Sequence, residues 1–205
     1  RRIGDDSLFM TRKIGCTGGI ACGKTEASKR IRAHGIPLLD TDHVAHEVLR
    51  PGNEVFDQVV EDFGRHIVQQ DGTLNRKKLG DIVFNDPEAL RQLNRLVHPE
   101  VGRRWRSWLA GRSEPVAVVV IPLMIETGSH HEFDDIVCIS ASRNRMRERL
   151  KSRGLSSEEA EQRIQSQLPL EKKEKHATWI LRNNGSLADF RHTVDHWITT
   201  ILLTE

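Results

Sequence analysis

The feature that most constrains this chain is the glycine-rich segment Gly18–Thr25, which reads GGIACGKT. It matches the pattern G-x-x-x-x-G-K-[ST] in full, and it lies between a strand-like segment, residues 13–17, and a helix-compatible run, residues 24–34. Gly18 and Gly23 allow the backbone to turn successive N–H groups inward, and the following helix adds its positive N-terminal end. The segment is therefore predicted to bind phosphate groups as a P-loop.

The residue types in this loop each suit a chemical task. Lys24 is predicted to reach the β- and γ-phosphates of a nucleoside triphosphate, and the Thr25 hydroxyl is placed to ligate Mg²⁺. Backbone N–H groups of the loop would donate to phosphate oxygens. The residues expected to contact the nucleotide here are Gly19, Ala21, Cys22, Gly23, Lys24, Thr25 and Glu26.

Two carboxylates follow the second predicted strand, residues 36–40. Asp40 and Asp42 lie two positions apart, and residues at that spacing face the same side of an extended chain. Because ligands bind beyond the carboxyl ends of parallel strands, one carboxylate could accept a proton from an attacking hydroxyl group while the other organises Mg²⁺. The alternative is that Asp42 only N-caps a helix that begins near His43.

The third predicted strand, residues 115–121, offers no metal ligand. It ends in Ile121-Pro122 and lacks the acidic residue that a Walker B strand would carry. The metal site therefore needs a carboxylate from elsewhere, and the Asp40–Asp42 pair can supply it. Thr25 and Asp40 are the predicted metal ligands.

Strands alternate with helices along the rest of the chain. Further strands are predicted at residues 135–140 and 179–182, and helices at 142–153, 156–167, 170–177 and 187–203. Between the second and third strands, residues 43–112 have a helical pattern with predicted breaks at Pro51-Gly52, Gly64, Asp71-Gly72, Asp86-Pro87 and His98-Pro99. The alternation predicts an α/β fold with a parallel central sheet and helices on both faces.

The predicted organisation is a short tail followed by one domain. The tail covers residues 1–10, and a single P-loop domain covers residues 11–205. Within that domain, a helical substrate-binding insertion is predicted at about 55–112 and a helical lid at about 141–178. A chain of 205 residues with 37% hydrophobic residues suits a single domain with its own core.

Composition narrows the class of protein. The formal net charge of +2 is too small a basic excess to indicate nucleic-acid binding. The longest nearly unbroken apolar run, Val116–Ile125, has about half of the roughly 20 residues that a membrane helix needs. The three cysteines, Cys16, Cys22 and Cys138, form no C-x-x-C pair, which favours a reducing compartment. We expect a cytoplasmic monomer or small homo-oligomer without nucleic-acid or membrane partners.

Further motifs follow the P-loop in a specific order. They are Asp40-Thr41-Asp42, Asp71–Arg76 (DGTLNR), His98-Pro99, Arg153–Ser156 and Asn183–Leu187 (NNGSL). With these motifs, the chain resembles the dephospho-coenzyme A kinase family from residue 14 to about residue 187. The resemblance implies a three-layer P-loop kinase sandwich that transfers the γ-phosphoryl group of ATP, with Mg²⁺, to the ribose 3′-hydroxyl of dephospho-coenzyme A (dephospho-CoA).

The resemblance also implies roles on the acceptor side. Asp42 matches the second Asp of the family's Asp-x-Asp motif, which implies a general base that contacts the 3′-hydroxyl. Arg76 resembles an arginine near the dephospho-CoA site. His98 belongs to a family signature, with a structural role as the first interpretation and a substrate contact as the second.

On the donor side, the resemblance points to the lid. Arg149 and Arg153 resemble the lid arginines that cover ATP, and Asn183 resembles a residue of the loop beside the adenine. Lys24 and Arg149 would stabilise the transferring phosphoryl group. Helical spacing alone does not select Arg149, because Arg153 lies nearer to the apolar face of the same helix.

Three positions depart from the family pattern. Ala21 stands where a third P-loop glycine is usual, so it must either avoid a positive φ or accept mild strain. Glu26 replaces a Ser or Thr and is expected to point its side chain away from the phosphates. Thr178 stands where an Asp is common.

The residues leave three alternatives to weigh. Another P-loop metabolite kinase, acting on a nucleoside, a nucleotide or a shikimate-like alcohol, would use the same loop and carboxylate pair. A GTPase or ATPase switch would carry an N-K-x-D motif and an acidic residue after the third strand, and the sequence has neither. A nucleic-acid-binding role for the arginines of residues 143–153 is disfavoured by the near-zero net charge and the lack of interleaved aromatic residues.

Overall fold

The computed structural model describes residues 10–202, so the predicted tail lies almost wholly outside the described residues. The strands are β1 (Arg12–Gly18), β2 (Leu38–Asp40), β3 (Val116–Val120), β4 (Asp135–Ser140) and β5 (Trp179–Arg182). The α-helices are α1 (Lys24–Ala33), α2 (Thr41–Val48), α3 (Glu54–Phe63), α4 (Arg76–Asn85), α5 (Pro87–Ala110), α6 (Arg143–Lys151), α7 (Ser157–Gln165), α8 (Leu170–Glu174) and α9 (Leu187–Trp197). Short 3₁₀ turns at Arg65–Ile67 and Ser129–Glu132 and a π-helical turn at Ile198–Leu202 complete the elements.

The strands form one sheet in the order β2-β3-β1-β4-β5. The central strand β1 pairs in parallel with both β3 and β4, and Gly15 lies opposite Val119 on one side and Ile136 on the other. β4 pairs in parallel with β5. Strands β2 and β3 lie on one side of β1, and strands β4 and β5 lie on the other. The strand order therefore reverses at β1, and the carboxyl end of the sheet at such a point is where α/β proteins bind ligands.

Burial explains why these segments form the central strands. All five residues of β3 are buried, as are the last five residues of β4. β-branched residues that are buried on both faces are typical of parallel strands covered by helices. Helices α1 and α9 pack against each other, while α8 packs against β1 and β4. The predicted α/β fold with a parallel central sheet is confirmed.

Two predicted element boundaries shift in the structure. β2 begins at Leu38 rather than at residue 36, because Pro37 has no N–H group and contributes only its carbonyl, which accepts from Val118 N–H at 2.9 Å. The closing helix ends as an α-helix at Trp197 and continues as a π-helical turn. Gly35 has φ +77° and directly follows His34, the C-cap of α1, so it occupies the C′ position where glycine is common.

The predicted helix break at His98-Pro99 is wrong. Helix α5 runs without interruption from Pro87 to Ala110 and contains Pro99 in its interior. Proline removes one backbone hydrogen bond and usually ends or kinks a helix. Here α2, α3 and α4 all pack along α5, and the Asp86 side chain caps its first turn. We infer that this packing offsets the loss at Pro99.

The chain forms two compact units. Among the described residues, the first unit comprises residues 10–39 and 112–202, and the second comprises residues 40–111. The first unit carries the sheet and the P-loop, and the second carries α2 to α5. The predicted insertion limits at 55 and 112 and the lid limits at 141 and 178 stay predictions. In the part of the chain that the structure describes, no helix is long and apolar enough to cross a membrane.

Candidate active site

Gly18 and Gly23 fix the backbone of the P-loop. Gly18 has φ +150°, and a Cβ atom there would lie 2.2 Å from the backbone oxygen of Ile139. Gly23 has φ +110°, and a Cβ atom there would lie 2.4 Å from Nδ2 of Asn183. Residues other than glycine rarely adopt these φ values, and both positions lack space for a methyl group. Glycine is therefore required at both ends of the loop.

Lys24 and the start of α1 bring a positive charge and backbone N–H groups to the P-loop. The Lys24 Nζ atom donates to the backbone oxygens of Gly18 at 3.0 Å and Gly19 at 2.8 Å, which holds the ammonium group across the loop. Gly23 N-caps α1 without a side-chain cap. The first N–H groups of a helix mostly lack an intrahelical acceptor, so a helix start is suited to a phosphate group. In α1 the Glu26 N–H already donates to the Gly23 oxygen at 3.0 Å.

Ala21 has a positive φ, which is the strained one of the two conformations expected for it. Its φ is +57°, and it is the one non-glycine residue with a positive φ among residues 10–202. This left-handed conformation costs roughly 1–2 kcal/mol for a residue with a Cβ atom. The methyl group is buried in a small apolar cluster with Leu150 of α6 and Ala160 of α7. Burial of the methyl group therefore offsets part of the strain that a glycine would avoid.

Arg149 and Asn183 clamp the same loop. Arg149 donates from Nη1 to the Ala21 oxygen at 3.1 Å and from Nη2 to both oxygens of Asn183 at 2.9 Å. The buried Asn183 side chain donates in turn from Nδ2 to the Cys22 oxygen at 2.8 Å. Both ends of the Asn183 amide are thus bonded within the protein, and its predicted place beside adenine is untested.

The other arginines of α6 have different partners. Arg143 and Arg147 both pair with Glu161 of α7, and Arg153 is exposed just beyond the end of α6. Arg149 is half-buried and turns toward the P-loop. Helical spacing failed to select Arg149 because its partners, the Ala21 oxygen and Asn183, lie 128 and 34 residues away in the chain.

Glu26 and Cys22 are both accounted for by local contacts. The Glu26 carboxylate accepts from Arg191 Nε at 2.6 Å, so its negative charge in the first turn of α1 is paired. Cys22 is fully buried, and burial raises the pKa of its thiol despite the nearby Lys24 ammonium. The neighbouring Thr25 is exposed, which leaves its hydroxyl accessible for a metal ligand role.

The prediction that Asp40 and Asp42 face the same side of an extended chain is wrong. The chain is not extended across the pair, because α2 begins at Thr41 and Asp40 is the N-cap whose Oδ1 accepts from Asp42 N–H at 3.0 Å. In a helix, residues two apart are about 200° apart around the axis, so they do not share a face. The alternative in which Asp42 caps the helix is also wrong, since Asp40 does so. The Asp42 side chain is exposed in the first turn of α2.

Arg76 and His98 lie in the second unit, as Asp42 does. Arg76 is the first residue of α4, and its Nη2 donates to the His46 oxygen of α2 at 3.3 Å. His98 is exposed within α5. The structure thus links Arg76 to the helix that carries Asp42, and it gives no comparable link for His98.

Comparison with known proteins identifies the family. Residues 12–189 match the family model described as Dephospho-CoA kinase. The chain belongs to the dephospho-CoA kinase family. A dephospho-CoA kinase of Bdellovibrio bacteriovorus is 40% identical over 185 residues, covering 89% of this chain and 92% of the relative. A dephospho-CoA kinase of Bacillus thuringiensis is 40% identical over 183 residues, covering 87% of this chain and 91% of the relative.

Solved structures agree with this family. The Thermus thermophilus protein TT1252 has a TM-score of 0.77 at 33% identity and covers 93% of this chain and 98% of its own. Dephospho-CoA kinase from Campylobacter jejuni has a TM-score of 0.67 at 28% identity, over 94% and 98%. A shikimate kinase from Acinetobacter baumannii, at 14% identity and a TM-score of 0.54, shares the fold alone. The predicted P-loop kinase fold and family are confirmed, and ATP is the donor that this kinase family implies.

One charged pair was missed by the sequence-based interpretation of this kinase. Lys173 of α8 is completely buried, and its Nζ donates to the Pro122 oxygen at 2.7 Å and pairs with Glu126 Oε1 at 2.8 Å. The same Glu126 oxygen accepts from Leu168 N–H at 3.2 Å. Nothing in the charged run of residues 171–175 distinguishes Lys173, so only the structure reveals this pair.

Gln167 makes a second contact without a predicted role. Its Oε1 accepts from the Ile20 N–H of the P-loop at 3.1 Å. Three successive loop residues, Ile20, Ala21 and Cys22, are therefore held by side chains from Gln167, Arg149 and Asn183. A cavity of ≈ 490 Å³ beside Gly19 and Ile20 adds space of the size that small-molecule sites use.

Proposed function

We propose that this chain phosphorylates the ribose 3′-hydroxyl of dephospho-CoA with ATP, giving coenzyme A and ADP. The observation that carries the proposal is the 40% identity to a dephospho-CoA kinase over 89% of the chain. The fit of the whole P-loop to phosphate binding supports the same reaction. The likeness to shikimate kinases reaches only 14–16% identity and gives no support to shikimate as the acceptor.

On the donor side, the proposal uses the P-loop together with Arg149 and Asn183, which hydrogen-bond to it. Lys24 and the N–H groups at the start of α1 bind the phosphates of ATP, with Gly19, Ala21, Cys22 and Gly23 supplying the loop. Arg149 stabilises charge that develops on the transferring phosphoryl group, and the exposed Arg153 adds a second cation over ATP. The hydrogen bonds of Asn183 hold the Arg149 guanidinium in position against the loop.

The residues fit a magnesium ion held mainly by phosphate and water. Within residues 10–202, no group of three or more His, Cys, Asp or Glu side chains could hold a metal ion. Mg²⁺ in phosphoryl-transfer sites typically takes only one or two protein ligands. The exposed Thr25 hydroxyl and the Asp40 carboxylate, which uses only Oδ1 in its cap, suit that number. When bound, Mg²⁺ neutralises charge on the phosphate oxygens.

On the acceptor side, Asp42 is the proposed general base. Its carboxylate is exposed at the N-terminal end of α2, so it can accept a proton from the 3′-hydroxyl of a bound nucleotide. Arg76 and His98 are the proposed substrate contacts in the same unit. The free, buried cysteines suit a reducing compartment, and we place the reaction in the cytoplasm.

The test is ADP release with ATP, Mg²⁺ and a panel of acceptors: dephospho-CoA, adenosine and shikimate. We expect rapid ADP release with dephospho-CoA and slow release with the other two alcohols. Rapid turnover of adenosine or shikimate with dephospho-CoA inert would overturn the proposed acceptor. Omission of Mg²⁺ should abolish the release in every case.

A further inference from the structure

A cavity of ≈ 460 Å³ lies within the second unit, where the chain turns from α2 and enters α4. Three of its lining residues are cationic: Arg50, Arg76 and Lys77. The described residues that line it include no acidic side chain, and Thr73 and Asn75 add polar groups. A concave site with several cations and no competing carboxylate in its lining is suited to a phosphate-bearing ligand.

Two acidic residues, Glu47 and Asp71, contact residues that line the cavity. Glu47 approaches Arg50 only at 3.8 Å, which is a long contact between exposed groups. Asp71 is held by the Thr73 N–H and hydroxyl, and these hydrogen bonds lower the pKa of Asp71. Its carboxylate is therefore directed to Thr73 rather than to a cation of the cavity.

Arg76 connects the cavity to α2, the helix that carries the proposed base Asp42. Its guanidinium donates to the His46 oxygen, and His46 lies four residues, about one helical turn, beyond Asp42 on α2. The guanidinium is thus roughly one to two turns, on the order of 5–10 Å, from the start of α2. Desolvation and the Arg76 charge lower the pKa of His46, so this histidine adds no positive charge at neutral pH.

We propose that this cavity binds the diphosphate group of the acceptor nucleotide, with Arg50, Arg76 and Lys77 as its cations. The inference rests on the proposed function, because dephospho-CoA carries its diphosphate on the 5′ side of the same ribose whose 3′-hydroxyl is phosphorylated. The proposal requires a single ribose to span from Asp42 to the cavity. The phosphates of ATP are bound by the P-loop of the first unit, which leaves the acceptor as the ligand for this second phosphate site.

The test compares Lys77→Gln with Lys78→Gln. The two neighbouring lysines are both exposed, but only Lys77 lines the cavity, while Lys78 donates to the His66 oxygen. We expect Lys77→Gln to raise KM for dephospho-CoA about tenfold with little change in KM for ATP, because a charged hydrogen bond to phosphate is lost. Lys78→Gln should leave KM for both substrates near the wild-type values. Equal KM values for dephospho-CoA in the two variants would overturn the inference.

A second measurement separates the diphosphate from the nucleoside. Adenosine shares the sugar and base of the acceptor but has no phosphate, so its inhibition constant against dephospho-CoA should be the same for Lys77→Gln and wild type. An inhibition constant that rises as much as KM would overturn the inference, because the cavity would then not act on the diphosphate. If the wild-type chain does not phosphorylate dephospho-CoA at all, the proposed function fails, and the inference fails with it.

Discussion

The guanidinium of Arg149 donates two hydrogen bonds to Asn183, one to its backbone oxygen and one to Oδ1, both at 2.9 Å. Because Arg149 also bonds the Ala21 oxygen and Asn183 bonds the Cys22 oxygen, this pair joins α6 and the end of β5 to the P-loop. A planar fork of donors is what allows one side chain to hold three acceptors at once.

The first prediction concerns this pair. Arg149→Lys should lower kcat/KM for ATP about tenfold or more, because an ammonium group cannot reproduce the fork. Asn183→Ala should have an effect of similar size. Since the two residues share one network, the double variant should lose less than the sum of the single losses. Steady-state kinetics checks this, with Arg147→Lys as the control on the same helix.

Additive losses would contradict this account. They would mean that Arg149 and Asn183 act independently, as expected if Asn183 only touched the adenine.

The second prediction concerns Ala21. Ala21→Gly should change the free energy of unfolding by no more than about 1 kcal/mol, because relief of the left-handed strain is offset by backbone entropy and the lost methyl burial. Ala21→Val should destabilise the protein by about 2 kcal/mol or more, because a β-branched residue at φ +57° is a backbone outlier. Urea unfolding measures both. A valine variant as stable as wild type would show that the loop relaxes away from this conformation.

The third prediction concerns the buried ion pair. Lys173→Met should destabilise the protein by about 2–3 kcal/mol, because it leaves Glu126 and the Pro122 oxygen without their cation. The loss is smaller than for a fully buried pair because the Glu126 side chain is 22% exposed. For a chain of this size the midpoint of thermal unfolding should fall by roughly 5–10 °C. Lys172→Met, at the exposed neighbouring position, is the matched control. Equal melting temperatures for the two variants would rule out a stabilising pair.

The fourth prediction separates the two aspartates. Asp42→Asn should lower kcat by about 10²–10⁴-fold with KM for ATP nearly unchanged, because a general base contributes to the chemical step. Asp40→Asn should keep the helix cap, since asparagine caps as well as aspartate does, and should instead raise the Mg²⁺ concentration needed for half-maximal rate. Near-normal turnover by a folded Asp42→Asn variant would remove its role as base.

Much of the fold follows from local signals in the sequence. Gly18 and Gly23 are identifiable because only glycine meets their backbone requirements, and the motif spacing places both at a strand–helix turn. The β-branched run of β3 and the segment of β4 are buried on both faces, so their apolar composition alone marks them as strands. These features depend on a few neighbouring residues.

The features that the sequence did not predict depend on distant contacts. Pro99 stays helical because three other helices pack along α5, and no local sequence pattern predicts that packing. Lys173 is buried because its ammonium meets Glu126, a residue 47 positions earlier in the chain. Asp40 rather than Asp42 is the cap because β2 passes directly into α2 at Thr41, and a sequence pattern locates the ends of an element less precisely than the element itself.

The central claim is transfer of phosphate to the 3′-hydroxyl of dephospho-CoA, and phosphorus NMR of the reaction products tests it most directly. With wild-type protein, ATP, Mg²⁺ and dephospho-CoA, we predict a new phosphomonoester on the ribose 3′-oxygen, formed in equal amount with ADP. ADP accompanied only by inorganic phosphate, or a phosphate on any other atom of the acceptor, would contradict the account.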